Sequence, residues 1–128
     1  MLAYHDDTPA SIRARIKALF ATANRPTGLI VINARNTLLV MAQLLRAGRL
    51  ILENVSLIAR DQDAIFRDLA PKIAHYSFDL NAYTKRLARL ILQLAEQKHL
   101  SVKPNFVFPK FESGESVKAP STSRNQSI

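Results

Sequence analysis

The sequence contains no cysteine. Disulfide scaffolds and thiolate metal sites are thereby excluded, and a reducing compartment suits such a composition. No apolar run approaches the roughly 20 residues that a membrane-spanning helix needs, so a soluble chain with no membrane partner is expected. With only three glycines in 128 residues, no phosphate loop of the Walker type can be found. A nucleophile beside a base and a cluster of metal-ligating side chains are equally missing, so neither enzyme activity nor a cofactor is expected. The opening residues, MLAYHDDTPA, carry acidic side chains where a secretory signal has positive charge ahead of an apolar core, which makes cytoplasm the expected address.

What is present is a single domain's length of ordinary globular composition, 48% apolar and 22% charged, enough to bury a core. The net charge of +8 suggests nucleic acid until its distribution is considered. Its densest clusters, Arg13, Arg15 and Lys17 on one predicted helix and Lys85, Arg86 and Arg89 on another, lack a glycine-rich loop or a set of aromatics for base stacking. They read as solvated helix faces, with weak, nonspecific nucleic-acid attraction as the rival reading.

Along the chain, Asp7, Thr8 and Pro9 form a helix start, and Ile12, Ile16, Leu19 and Phe20 line one stripe of the helix that follows. TGLIVIN, residues 27 to 33, is apolar without alternation and predicts a strand covered on both faces. Asn36 and Thr37 are expected to open a second helix through Leu38, Met41, Leu44 and Leu45, with Gly48 at its left-handed C-terminal cap. Val55 to Ala59 predicts a second strand buried on both faces, ending abruptly in Arg60, Asp61, Gln62 and Asp63. A brief helix over 62 to 70 precedes Pro71, and KIAHYS offers a short extended segment. Asp79 then caps a third helix, about residues 80 to 97, ending near His99. Pro104 to Phe111 reads as a final edge strand with prolines near both ends. The residues from 112 to 128 have little apolar content and are expected to form a disordered tail behind a domain spanning 1 to 111.

Strand, helix and strand with short connections make a βαβ unit with parallel strands, and ligands of such α/β sheets bind beyond the carboxyl ends of the strands. Asn33 and Asp61 end the two strands and would project from one rim, where an amide and a carboxylate can hydrogen-bond a hydroxylated ligand. Each could equally serve as the N-cap of the helix that follows it. His75, alone among apolar neighbours, reads as a structural histidine.

The run RPTGLIVINARNTLLVMAQLLRAGRLILENVSLIARDQD, then LAPKIAHYSFDLNAYTKRLARLILQLAE, then PNFVFPKFESGES, resembles in collinear order the C-terminal part of the effector-binding domain of LacI/GalR-type transcriptional regulators. The similarity covers about residues 9 to 116. It implies a partial periplasmic-binding-protein-like lobe of type I, three-layer α/β with parallel strands and a final edge strand, as a fragment of a two-lobe domain. It also implies a sugar or related small-molecule effector, a homodimer in the full-length context, and DNA contacted only through a helix-turn-helix that has no counterpart in this sequence.

Asn33 and Asp61 match family positions that hydrogen-bond the effector, and Phe78, just past the hinge segment, matches another position close to it. Four positions depart from the family pattern: Ala34 stands for the usual Asp, Ala59 for Gly, Arg60 for an aromatic, and Leu52 where Pro is common. With Arg35 and Arg60 near the same rim, an effector carrying carboxylate or phosphate is expected, because guanidinium pairs bidentately with such groups. The competing expectation has both arginines in solvent. The resemblance further implies that the third helix belongs against the opposite lobe, the chain crossing the hinge near Tyr76 and returning near Lys103, and that the edge of the first strand is uncovered. A remnant or interaction module without ligand is the alternative function.

Overall fold

The structure, a computed structural model, describes residues 1–97 and 106–119. Helix α1 (Pro9–Ala21) begins after Thr8, whose Oγ1 accepts the Ser11 amide at 3.2 Å, and buries Ile12 and Ile16. Strand β1 (Gly28–Val31) leads into helix α2 (Ala34–Arg46), which opens two residues before Asn36 because the Asn33 side chain, not that of Asn36, caps it. The expected stop at Gly48 is present. Its φ of +65° lets the Gly48 amide reach Leu45 O at 3.0 Å and the Arg49 amide reach Leu44 O at 2.9 Å, closing two carbonyls that the helix end leaves open.

Strand β2 (Ser56–Ala59) pairs in parallel with β1, Gly28 opposite Ser56 and Val31 opposite Ala59. A 3₁₀ turn (Ala64–Arg67) buries Phe66, and strand β3 (Ala74–Ser77) then adds in parallel on the far side of β2. Helix α3 (Leu80–Gln97) leaves the sheet, and strand β4 (Lys110–Glu112) returns antiparallel to β3. The order is β1-β2-β3-β4, so β4 occupies an edge as predicted. Its pairing begins only at Lys110, however, and Lys103 and Pro104 lie outside the described residues.

The core lies on one face of this sheet. Ile12 and Ile16 of α1, Val40 and Leu44 of α2, and Leu57 and Ala59 of β2 share a cluster with Phe66 and Ile73, and each fully buried large side chain contributes roughly 1.5–3 kcal/mol. Because Leu29 and Val31 are in register with Leu57 and Ala59, they face the same helices. The opposite face is open at β1. Ile30 is 70% exposed, so the expectation of a strand covered on both sides fails for β1: no helix among the described residues lies over that face. Val55, just before β2, and Leu57 and Ala59 within it are buried while Ser56 and Ile58 are half-buried, again one closed face rather than two. Helix α3 shows the same lack of a partner, with every described side chain but the half-buried Leu90 exposed.

The tail expected from Glu112 onward is bound to the sheet over its described part, residues 112–119. Ser116 is fully buried; its Oγ donates to Leu57 O and accepts the Ala74 amide at 2.8 Å, while its carbonyl accepts the Leu57 amide at 2.8 Å. Low apolar content misleads here, because this strap is held by backbone groups of β2 and β3. Residues 120–128 lie outside the described residues. His75 is structural, 4% exposed, with Nδ1 2.8 Å from Ile73 O and its ring tilted on Phe66.

Candidate functional site

The carboxyl ends of β1, β2 and β3 form one rim, and the register fixes what stands on it. Val31 lies opposite Ala59 and Ala59 opposite His75, so two residues further along each strand Asn33, Asp61 and Ser77 stand at equivalent positions. The Arg60 amide continues the ladder to Val31 O at 2.8 Å, which holds Asp61 at the strand's end.

Asn33 is a cap, with Oδ1 accepting the Asn36 amide at 3.3 Å, which leaves its side-chain NH2 as a donor not used by the cap. Asp61 is not a cap. The 3₁₀ turn is capped by Asp63, whose Oδ1 accepts the Ile65 amide at 3.0 Å, and Asp61 Oδ1 instead receives Arg60 Nε at 2.9 Å. Arg60 and Asp61 thus neutralise each other in a half-exposed pair. Arg35 is engaged elsewhere, its Nη1 donating to Asp7 O at 3.2 Å. Both arginines are exposed, in line with the expectation that they lie in solvent, and each makes one hydrogen bond among the described residues. Phe78, 40% exposed, sets its ring edge-on to Tyr83 at 6.3 Å.

Three residues that sequence reasoning did not assign to the site join it. Gln62 Oε1 accepts the Phe78 amide at 3.0 Å, tying the end of β2 to the segment after β3. Asn36 is buried, with Nδ2 donating to Asp7 Oδ1 at 2.6 Å and Oδ1 without a partner among the described residues. Asp7, in the left-handed region at φ 61°, lies over the start of α2. The spacing Asn33-x-x-Asn36, that of a capping box, was the available signal for Asn36.

Two carboxylates near the ends of elements titrate low. A hydrogen bond from Lys110, then one from Ser77 Oγ at 3.1 Å, holds Glu112 below the ordinary glutamate range where β4 meets β3. Thr8, through its hydroxyl and amide, does the same for Asp6 ahead of α1. Among the described residues no group of three acidic, His or Cys side chains could hold a metal, and the Ser77 hydroxyl at the rim donates to the Glu112 carboxylate at 3.1 Å. Its chemistry is hydrogen bonding by an amide, a carboxylate and a glutamine beside an aromatic ring. Two shallow grooves elsewhere, one on α3 and one between α1 and α2, contain none of Asn33, Arg35, Arg60, Asp61 and Phe78.

A mostly parallel four-stranded α/β sheet defines the fold class, a partial type I periplasmic-binding-protein-like lobe. Sequence comparison gives the family: the model for the periplasmic binding protein-like domain matches residues 2–117, and the chain belongs to that family. Comparison with curated proteins gave no match. Among solved structures, a LacI family transcriptional regulator from Bifidobacterium animalis subsp. lactis is similar at 22% identity with a TM-score of 0.75, over 89% of this chain and 42% of that one. A LacI family regulator from Enterococcus faecium with bound ribose has 19% identity and a TM-score of 0.71, over 88% and 41%. A sugar-binding LacI family regulator from Escherichia coli complexed with phosphate has 21% identity and a TM-score of 0.74, over 92% and 42%. The chain therefore spans about two fifths of the length of these neighbours. No helix of the described residues is long and apolar enough to cross a membrane.

Proposed function

We propose that this chain is the C-terminal part of the effector-sensing domain of a LacI-type transcriptional regulator, acting in the cytoplasm without catalysis and contacting a neutral, polyhydroxylated effector through Asn33, Asp61, Gln62 and Phe78. The observation that carries the reading is the register, which sets Asn33 and Asp61 side by side beyond the parallel strands β1 and β2. Asn33 offers a donor, Asp61 keeps an acceptor oxygen beyond the one facing Arg60, and Phe78 offers an apolar face to a sugar ring. Arg35 is tied to the N-terminal segment through Asp7 O.

The 2.9 Å Arg60–Asp61 contact favours a neutral effector over an anionic one. A phosphate or carboxylate would have to compete with Asp61 for Arg60 and would leave the Asp61 charge facing its own. A ribose-bound neighbour accords with the neutral reading; the phosphate-bound one is the reason to test anions beside it. Titration of the chain with neutral mono- and disaccharides against their phosphates and uronic acids checks this. Saturable binding confined to the neutral set is expected, and tighter binding of the anions would overturn it. DNA recognition and dimerisation belong, in this proposal, to the parts of a full-length regulator outside the span compared.

A further inference from the structure

Away from the rim, the carboxyl-terminal halves of α1 and α2 enclose a groove. Arg13 and Lys17 stand along one side of it, Arg46 and Arg49 along the other, and Ile16 and Phe20 contribute to its floor. The four cations form no ion pair among the described residues; the acidic partners present there serve His5, Arg60 and Lys110 elsewhere. Part of this concentration has a local cause. Arg46 lies in the last turn of α2 and Arg49 follows its cap, where positive charge offsets the helix dipole, and Arg49 also stacks 5.7 Å over the Phe20 ring. Two helix ends, however, present only about half a negative charge each, roughly one in total against four positive charges. The surplus is unmatched.

We infer that this groove docks an acidic amphipathic segment of a partner protein, its apolar side on Ile16 and Phe20 and its carboxylates on Arg13, Lys17, Arg46 and Arg49. The complementarity is of charge and of shape: an open trough between two packed helices with apolar floor and cationic sides accepts a helix laid lengthwise. Nucleic acid fits the same charges less well, because stacking needs a free aromatic face and the Phe20 ring is covered by Arg49. The inference is independent of the effector site, since the groove shares no residue with the rim.

The test is fluorescence anisotropy on the full chain with a fluorescein-labelled 18-residue helical peptide, Leu on one face and Glu on the other. The expected result is saturable binding, weakened at least tenfold when the Glu residues become Gln. Arg13→Glu with Lys17→Glu should weaken binding at least tenfold, whereas a charge-matched reversal on α3, Lys85→Glu with Arg89→Glu, should leave it within twofold. Should the groove reversal lower the thermal midpoint, Lys17→Gln with Arg46→Gln serves instead and should still cost at least threefold. Absence of binding, equal weakening by the α3 pair, or displacement of the peptide by duplex DNA at equal concentration overturns the inference.

Discussion

Ser116→Ala removes one hydroxyl and should show how much of the sheet depends on the strap. That oxygen sits with no solvent exposure between β2 and β3, donating to Leu57 O and accepting the Ala74 amide at 2.8 Å. Alanine keeps the volume but leaves a buried acceptor and a buried donor unpaired, at about 1–3 kcal/mol each. A net loss of about 2–4 kcal/mol follows. For a chain of this size about 1 kcal/mol corresponds to roughly 4 °C, so Tm should fall by about 8–16 °C. The neighbouring Ser56→Ala is the internal control. Ser56 Oγ also holds the strap, through Lys118 N at 3.0 Å and Lys118 O at 3.3 Å, but from a half-buried position whose hydrogen bonds are open to water, so a loss below about 0.5 kcal/mol is expected. Urea unfolding of the three proteins by circular dichroism measures both. Equal stability of Ser116→Ala and the parent would refute the claim that residues 112–118 are an integral part of the sheet.

Gly114→Ala should be the more harmful of two glycine substitutions. Its φ is +52° and an added Cβ would meet Ala74 N at 2.5 Å, whereas Gly48, at φ +65°, has open space and should lose only the roughly 1–2 kcal/mol of a left-handed non-glycine residue; urea midpoints compare the two. Asp63→Ala should cost about 1 kcal/mol as a lost cap, and Asp61→Ala less than about 0.5 kcal/mol as a half-exposed ion pair, so equal losses would return Asp61 to a capping role. The lowered Glu112 pKa sets a sign. A carboxylate depressed in the folded state contributes stability above its ordinary value of 4.5, and loses that contribution as pH falls through the folded value below it. The stability difference between the parent and Glu112→Gln should therefore be constant at neutral pH and shrink only below pH 4.5; a difference that disappears nearer pH 7 would contradict the assignment.

Much of this was legible because local chemistry dictated it. Thr8 and Pro9 at the start of α1, and Gly48 at the end of α2, are stop and start signals that act over one turn, and the structure places both helices by them. The parallel pairing of β1 and β2 followed from the short connections through α2. What escaped is non-local. The apolar run of β1 carries no mark that one of its faces would meet no helix, so Ile30 stands 70% exposed where full cover was expected. Glycine and serine in the stretch from 112 to 118 signal disorder by composition, yet Gly114 provides the positive φ that the close approach to Ala74 requires and Ser116 the hydroxyl that spans two strands. At the rim, the residue types of Asn33 and Asp61 marked the strand ends. Whether Asp61 or Asp63 caps the next turn, and whether Arg60 points to a ligand or back to Asp61, depends on side-chain directions that spacing does not encode.

The central claim is that the carboxyl rim, through Asn33 and Asp61, contacts a neutral polyhydroxylated effector. Its most direct test is a ¹H–¹⁵N correlation titration of the chain with ribose, a measurement that tolerates weak binding by one wall of a cleft. Saturating shifts should concentrate on the Asn33 side-chain amide, on the Arg60, Asp61 and Gln62 backbone amides and on Phe78, and Asp61→Asn should weaken the fitted affinity about tenfold or more with the fold unchanged, since a hydrogen bond to a charged acceptor is worth about 1.5–3 kcal/mol. Saturating shifts confined to residues away from the rim, or an affinity that Asp61→Asn leaves untouched, would contradict it.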